Sequence, residues 1–178
     1  GNSHPSAMSL FRKKLAVLFP IIVLCVWMFG GCGSGVGGDV EEMPLSNKLV
    51  VVTTTTQVTD MVKSVAGNRL RLIPLMGPGV DPHLYKPSAK DAAALSKANL
   101  IFYSGLMLEG RMEDVFAKAD TKAYAVTKNL SEETLLHPDD FVGHPDPHVW
   151  FDPEIWVKCI DVVRDGLIEA DPAGKEIY

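Results

Sequence analysis

The apolar positions change period along the chain. Lys48–Thr54 (KLVVVTT) is a short β-branched run, which predicts a buried strand. Gln57–Ala66 carries Val58, Met61, Val62 and Val65 at helical spacing, and Gly67 closes it. Arg69–Leu75 alternates, with Leu70, Leu72 and Pro74 on one side and Arg69, Arg71 and Ile73 on the other, the period of a second strand. Ser88 is placed to cap a helix reaching about Ala98, with Ala92, Ala93, Leu95 and Ala98 as its apolar face. Leu100–Ser104 predicts a third strand and Ala123–Thr127 a fourth. Between them, Leu108–Ala119 predicts a helix with Met112, Val115, Phe116 and Ala119 on one face. Pro153 opens a last helix behind an Asp152 cap. Ile155, Val157, Ile160, Val163, Leu167 and Ile168 keep its period to about Ala170, where Asp171-Pro172 interrupts.

Short strands alternating with helices of ten or so residues predict an α/β fold, a parallel β-sheet flanked by helices. Ligands of such sheets bind in loops beyond the carboxyl ends of the strands. Two long loops, 76–87 and 129–152, both follow strands.

The first fifth of the chain differs from the rest. Gly1–Ala7 reads as a vector-derived tag and Met8 as the native start. Arg12, Lys13 and Lys14 precede seventeen uncharged residues, Leu15–Gly31, and a basic cluster before an apolar run is an export signal. Phe29-Gly30-Gly31-Cys32 resembles a bacterial lipobox, with Phe29 where such boxes usually carry Leu, so Cys32 is the expected lipidation site. The glycine- and serine-rich stretch that follows suits a flexible tether to about residue 47. The alternative is an uncleaved transmembrane anchor, since a span needs ~20 apolar residues. Both place the globular part outside the cytoplasm, membrane-anchored, in the periplasm or at the cell surface.

Composition narrows the class. A chain of 178 residues with 47 % hydrophobic content can bury a core, and is no disordered tail. The formal charge of −5 argues against nucleic-acid binding, which needs a basic face. Residues 32–178 carry all 22 acids and 14 of the bases, giving −8. Three cysteines, at 25, 32 and 159, make no disulfide framework, and Cys159 reads as a buried structural thiol.

The candidate chemistry lies in histidines. Outside the tag, all four are in the two long loops: His83 in the first, and His137, His144 and His148 in the second. Asp81-Pro82-His83 and Asp146-Pro147-His148 are the same tripeptide, followed by Leu84-Tyr85 and Val149-Trp150. Proline stiffens the backbone on both sides of its own bond, so the histidine projects from a pre-ordered segment. The apolar residues that follow can anchor each loop to the core. Two such loops at one sheet edge can aim two neutral imidazoles at one Zn²⁺ or Mn²⁺ ion. Asp81, Asp146 and Asp152 are candidates to orient the rings. His137 and His144 read first as solvated groups and second as auxiliary metal ligands. Trp150 and Trp156 read as core residues. GPGV at 77–80 is no phosphate loop, lacking the Lys and Ser/Thr.

With KLVVVTT, GVDPHLYKPS, ANLIFYSGLMLEGRMEDVF and DPHVWFDPE in this order, the chain resembles the zinc/manganese solute-binding lipoproteins of metal-importing ABC transporters (cluster A-I) from Lys48 onward. That resemblance implies two lobes joined by a long backbone helix, with one metal ion between them. It implies that the N-terminal lobe gives one histidine from each DPH motif, matched by His83 and His148, and that the C-terminal lobe gives a His or Glu and an Asp. On this reading residues 8–31 are the signal peptide, 32–47 the tether, 48–152 the N-terminal metal-binding lobe and 153–178 the start of the interlobe helix. The chain would then be truncated before the C-terminal lobe. The implied role is capture of Zn²⁺ or Mn²⁺ for a membrane permease, and no enzyme activity. A surface adhesin is the alternative. An extracellular metallohydrolase, with Asp81 or Asp146 as general base, is the weaker rival.

Overall fold

The computed structural model describes residues 44, 47–139, 141 and 143–178. The expected tag, signal and lipidation site at Cys32 lie outside the described residues, as does the tether apart from Pro44 and Asn47. Among the described residues the sheet has four parallel strands: β1 (Val50–Thr53), β2 (Arg71–Pro74), β3 (Leu100–Tyr103) and β4 (Lys122–Ala125). Their order is β2-β1-β3-β4, with Val51 between Leu72 and Leu100, and Ile101 beside Ala123. The chain therefore winds to one side of β1 for β2 and to the other for β3 and β4. The crevice where ligands bind in such sheets opens at that reversal.

Among the described residues the helices are α1 (Thr56–Ala66), α2 (Ala89–Leu95), α3 (Met112–Ala117) and α4 (Pro153–Ala170). None of them is long and apolar enough to cross a membrane. Because strand side chains alternate, successive residues feed opposite cores. Val51, Leu100 and Phe102 join Val58 and Val62 of α1 and Cys159, Val163 and Leu167 of α4 on one face. Val52 and Ile101 join Met76, Met112 and Phe116 on the other, with Leu95 of α2 packed against them. Each fully buried Val, Leu or Phe contributes about 1.5–3 kcal/mol. Every residue of both clusters lies within 49–178.

Caps set the helix starts. Thr55 Oγ1 accepts from Val58 N at 3.3 Å to open α1, and Gly67, at φ +55, ends it. Ser88 caps α2 as expected and forms a capping box with Asp91. Asp152 Oδ1 accepts from Glu154 N at 2.9 Å to open α4.

The buried helix faces depart from the sequence pattern in three places. In α2, Ala94 and Leu95 face the core, whereas Ala92 and Ala93 are exposed. The reason lies in Asp91, whose Oδ2 sits 2.8 Å from the Tyr85 hydroxyl and 2.7 Å from Ser88 N, so the cap sets the helix rotation. In α3, Met112 and Phe116 are buried but Val115 is half exposed. Its expected first turn, 108–111, is instead part of a tight non-helical turn. In α4, Cys159, Val162, Val163, Gly166 and Leu167 face inward, while Val157 and Ile160 are exposed. Gly166 permits this: a Cβ there would lie 3.0 Å from both the Phe102 and Tyr124 rings, so the helix presses directly on the sheet. The final turn folds back, with Asp171 Oδ2 2.5 Å from both Arg69 Nε and the Tyr178 hydroxyl.

The turn after β3 has the least ordinary backbone. Gly105, Leu106, Met107 and Gly110 all have positive φ, at 87, 56, 66 and 52°. A side chain at Gly105 would meet Thr127 Oγ1 at 2.7 Å and Ala125 Cβ at 2.8 Å, so glycine is needed there for space as well as conformation. Behind this turn lie two carboxyl groups. Glu109 is 1 % exposed, and burial raises its pKa. Glu113 is pushed from the ordinary 4.5 up to about 7, by burial first and the Glu109 charge second.

A folded-state pKa above the unfolded one means that the folded chain binds more protons between those values. The Glu113 contribution to stability is full below pH 4.5 and is lost as pH rises through about 7. The melting temperature should therefore be higher at pH 5.5 than at pH 8, and Glu113→Gln should flatten that slope. Calorimetric melts across this range check it; a wild-type chain more stable at pH 8 would contradict it.

Candidate metal centre

Both histidine loops leave the carboxyl edge of the sheet. The first is joined to β1 as it departs: Leu75 N donates to Thr53 O at 2.9 Å and Met76 N to Thr54 O at 3.0 Å. Met76 is buried. The second is tied down by Asp146 N donating to Leu136 O at 2.7 Å.

The repeated tripeptide makes a repeated turn. Asp81 Oδ1 accepts from His83 N at 2.9 Å, and Asp146 Oδ1 accepts from His148 N at 2.9 Å. An aspartate bonding the amide two residues on is an Asx turn, and the intervening proline restricts both neighbours. The two turns bring the rings together from 65 residues apart, with His83 Nε2 3.5 Å from His148 Nε2. The ring centroids are 5.4 Å apart at 61°. Two nitrogens on a tetrahedral zinc ion, each at 2.0–2.1 Å, would be separated by about 3.4 Å.

Asp146 does a second job. Its Oδ1 lies 2.6 Å from His148 Nδ1. The contact assigns Nδ1–H as the donor and leaves the Nε2 lone pair facing His83. Burial works to raise the Asp146 pKa, but the His148 amide and ring outweigh it and hold the carboxyl below its ordinary value. The ring of His148 is also braced by edge contacts to Trp150, 5.2 Å between centroids, and Phe141, 6.1 Å. The pair opens on a cavity of about 360 Å³ walled by the first turn of α1, by Met76–Gly79–Pro82 and by Trp150.

The other candidates stand elsewhere. His137 is exposed and 3.1 Å from Glu132 Oε1, and His144 is exposed. Neither lines the cavity that holds His83 and His148. Asp152 is taken by the α4 cap rather than by a ring. Trp150, expected in the core, stands at the site instead, because the short 3₁₀ turn Val149–Phe151 buries Val149 and turns the indole outward. Trp156 packs against the core. Leu84 is 76 % exposed, so of the two residues after His83 it is Tyr85 that anchors the loop, its hydroxyl 3.1 Å from Leu75 O. Cys159 is fully buried, and burial pushes its thiol up to about 11, as suits a structural thiol. Among the described residues, no group of three or more His, Cys, Asp or Glu converges.

Comparison with known proteins decides the family. The family model described as ZnuA, zinc-uptake complex component A, periplasmic, matches residues 51–178. The chain belongs to the ZnuA family. The manganese-binding lipoprotein MntA of Bacillus subtilis is 35 % identical over 162 residues, covering 90 % of this chain and 52 % of that protein. The zinc-binding protein TroA of Treponema pallidum is 37 % identical over 154 residues, covering 84 % and 48 %. The solved structure of TroA superimposes with a TM-score of 0.68 at 37 % identity, over 73 % of this chain and 47 % of that one. The Zn(II)-bound ZnuA-like domain of Streptococcus pneumoniae AdcA gives a TM-score of 0.61 at 33 % identity, over 73 % and 47 %. The chain spans about half the length of the relatives it matches. The family is named for zinc uptake, and these relatives are named for binding manganese or zinc.

The site geometry makes a test that needs no metal. Nitrogen-15 spectra of the metal-free chain should show His148 in the Nδ1–H form, and Asp146→Ala should move it toward the Nε2–H form. A wild-type His148 already in the Nε2–H form would contradict the Asp146 contact.

Proposed function

We propose that this chain supplies the metal-binding lobe of an extracytoplasmic receptor that captures Zn²⁺ or Mn²⁺ and delivers it to an ABC-type permease. In this reading His83 and His148 are the ligands, residues 48–152 form the lobe, and the helix from Pro153 begins the interlobe segment. A lipid on Cys32 holds the receptor to the membrane. The observation that carries the reading is the 3.5 Å approach of two Nε2 atoms, each presented by the same Asx turn. The family supports it, as do relatives named manganese-binding and zinc-binding proteins. Support for the anchor comes from the basic-then-apolar leader and from relatives named lipoproteins.

The chemistry suits cargo rather than catalysis. Neutral imidazoles bind divalent ions reversibly, and their affinity falls as acid competes for Nε2. Two imidazoles leave further coordination positions to water or to groups outside the described residues. Asp81 and Asp146, the candidate bases for hydrolysis, are both committed to turns. The charge of −8 over residues 32–178 favours cation approach.

Titration calorimetry of the 178-residue chain, kept in detergent, with Zn²⁺ and Mn²⁺ tests the assignment. His83→Ala and His148→Ala should each abolish the binding seen for the unmodified chain. Asp146→Ala should weaken it by about 10–100-fold, the usual cost of removing a residue that orients a ligand. Binding that survives both histidine variants would overturn the assignment.

A further inference from the structure

The metal pair leaves one costly feature unexplained. Glu109 is a carboxylate removed from water beside the site, with no cation among its hydrogen-bond partners. Burying such a group is expensive unless every lone pair has a use. Its partners are all donors: the Thr54 hydroxyl at 2.6 Å and Ser104 N at 2.7 Å on Oε1, and Gly105 N at 3.1 Å on Oε2. These groups sit at the carboxyl ends of β1 and β3, where the sheet reverses its winding.

Two supports of the His83 loop run through these contacts. Thr54 gives its hydroxyl to Glu109 and its carbonyl to Met76 N, the residue that opens the loop. The second is the turn from Gly105 to Gly110, which Glu109 closes by holding the amides at its start. Two consecutive non-glycine residues in it, Leu106 and Met107, have left-handed φ, a conformation that persists only where surroundings impose it. Gly110 lies beside the His83 backbone: a Cβ there would stand 3.6 Å from His83 O. The His148 loop leaves from β4 and is tied to Leu136; its link to this turn is Thr127 Oγ1 donating to Ser104 O at 2.7 Å, some twenty residues before His148.

We propose that Glu109 is a positioning residue for metal binding: it locks the strained 105–110 turn and the end of β1 into the cradle that sets the His83 backbone. The proposal rests on the metal-receptor reading for its purpose, and on the contacts alone for its mechanism. An amide cannot replace the carboxylate. Each carboxylate oxygen takes one backbone N–H, so a glutamine in either orientation points its NH₂ at Ser104 N or Gly105 N.

The test compares the 178-residue chain with Glu109→Gln, with Thr54→Val, and with Val163→Ala as a control for destabilisation. Val163 is fully buried in the core between α1, α4 and the sheet, on the face opposite the Met76 cluster. Measured well below the melting temperature, Glu109→Gln should weaken Zn²⁺ binding by at least tenfold and Thr54→Val by a smaller factor. Val163→Ala should leave it within about twofold. In the metal-free proteins, the His83 ring resonances should move in Glu109→Gln and Thr54→Val by clearly more than those of His148, which feel only the displaced neighbouring ring 5.4 Å away. If Glu109→Gln does not fold, Thr54→Val carries the same comparison. Unmoved His83 resonances, or equal movement of both histidines, would overturn the positioning role. Unchanged Zn²⁺ binding in a chain whose His83→Ala variant has lost it would also overturn it. Zn²⁺ binding that survives His83→Ala strikes the receptor reading instead, and the resonance comparison still decides the role of Glu109.

Discussion

Two imidazoles can share one metal ion only if their Nε2 atoms are held a few tenths of an ångström from the edge length of its coordination polyhedron. Side chains 65 residues apart meet that condition only on a frame that does not yield. The parallel sheet is the frame. Its strands all end on one edge, so the loops after β2 and β4 start from the same side though these strands form opposite margins of the sheet. The Asx turns then convert a common edge into a common target. Each spends a carboxylate oxygen on the histidine's own amide, which fixes where Cβ points before any metal arrives.

The histidines are not equally prepared. His148 is half-buried, with its Nδ1 on Asp146 and its ring against Trp150 and Phe141. His83 is exposed, and its order comes from beneath, through Met76, Gly110 and the buried Glu109 network. One histidine is held by its ring and the other by its backbone. The cost of this arrangement falls on a buried carboxyl and a left-handed turn rather than on the two rings. Among the described residues, the run of left-handed backbone and the most deeply buried carboxyl lie in the same six residues, 105–110.

Much of the frame was legible because it depends on local rules. Strand–helix alternation, the Ser88 and Asp152 caps, and the break at Asp171-Pro172 all follow from chain-local chemistry. The paired DPH turns were legible for the same reason, since proline and aspartate act on their immediate neighbours. Helix faces were not. Val157 and Ile160 fit the period of α4, yet the side that reaches the sheet is set by where Gly166 lets two aromatic rings approach. Glu109 was illegible as well. A glutamate in an apparent amphipathic helix reads as solvated, and only the left-handed Leu106 and Met107 swing it under the sheet edge. The glycines at 105 and 110 were the available signal, because they bracket a turn where the apolar period implied a helix. Trp150 was misplaced by the same kind of error, since its size suggested the core and its neighbour Val149 fills that position instead.

The most direct measurement is the zinc K-edge X-ray absorption spectrum of the chain loaded with one equivalent of Zn²⁺. The account predicts two imidazole ligands at about 2.0 Å, identified by their outer-shell ring scattering, with the remaining positions filled by oxygen. A spectrum with sulfur at about 2.3 Å, or with fewer than two imidazoles, would contradict it.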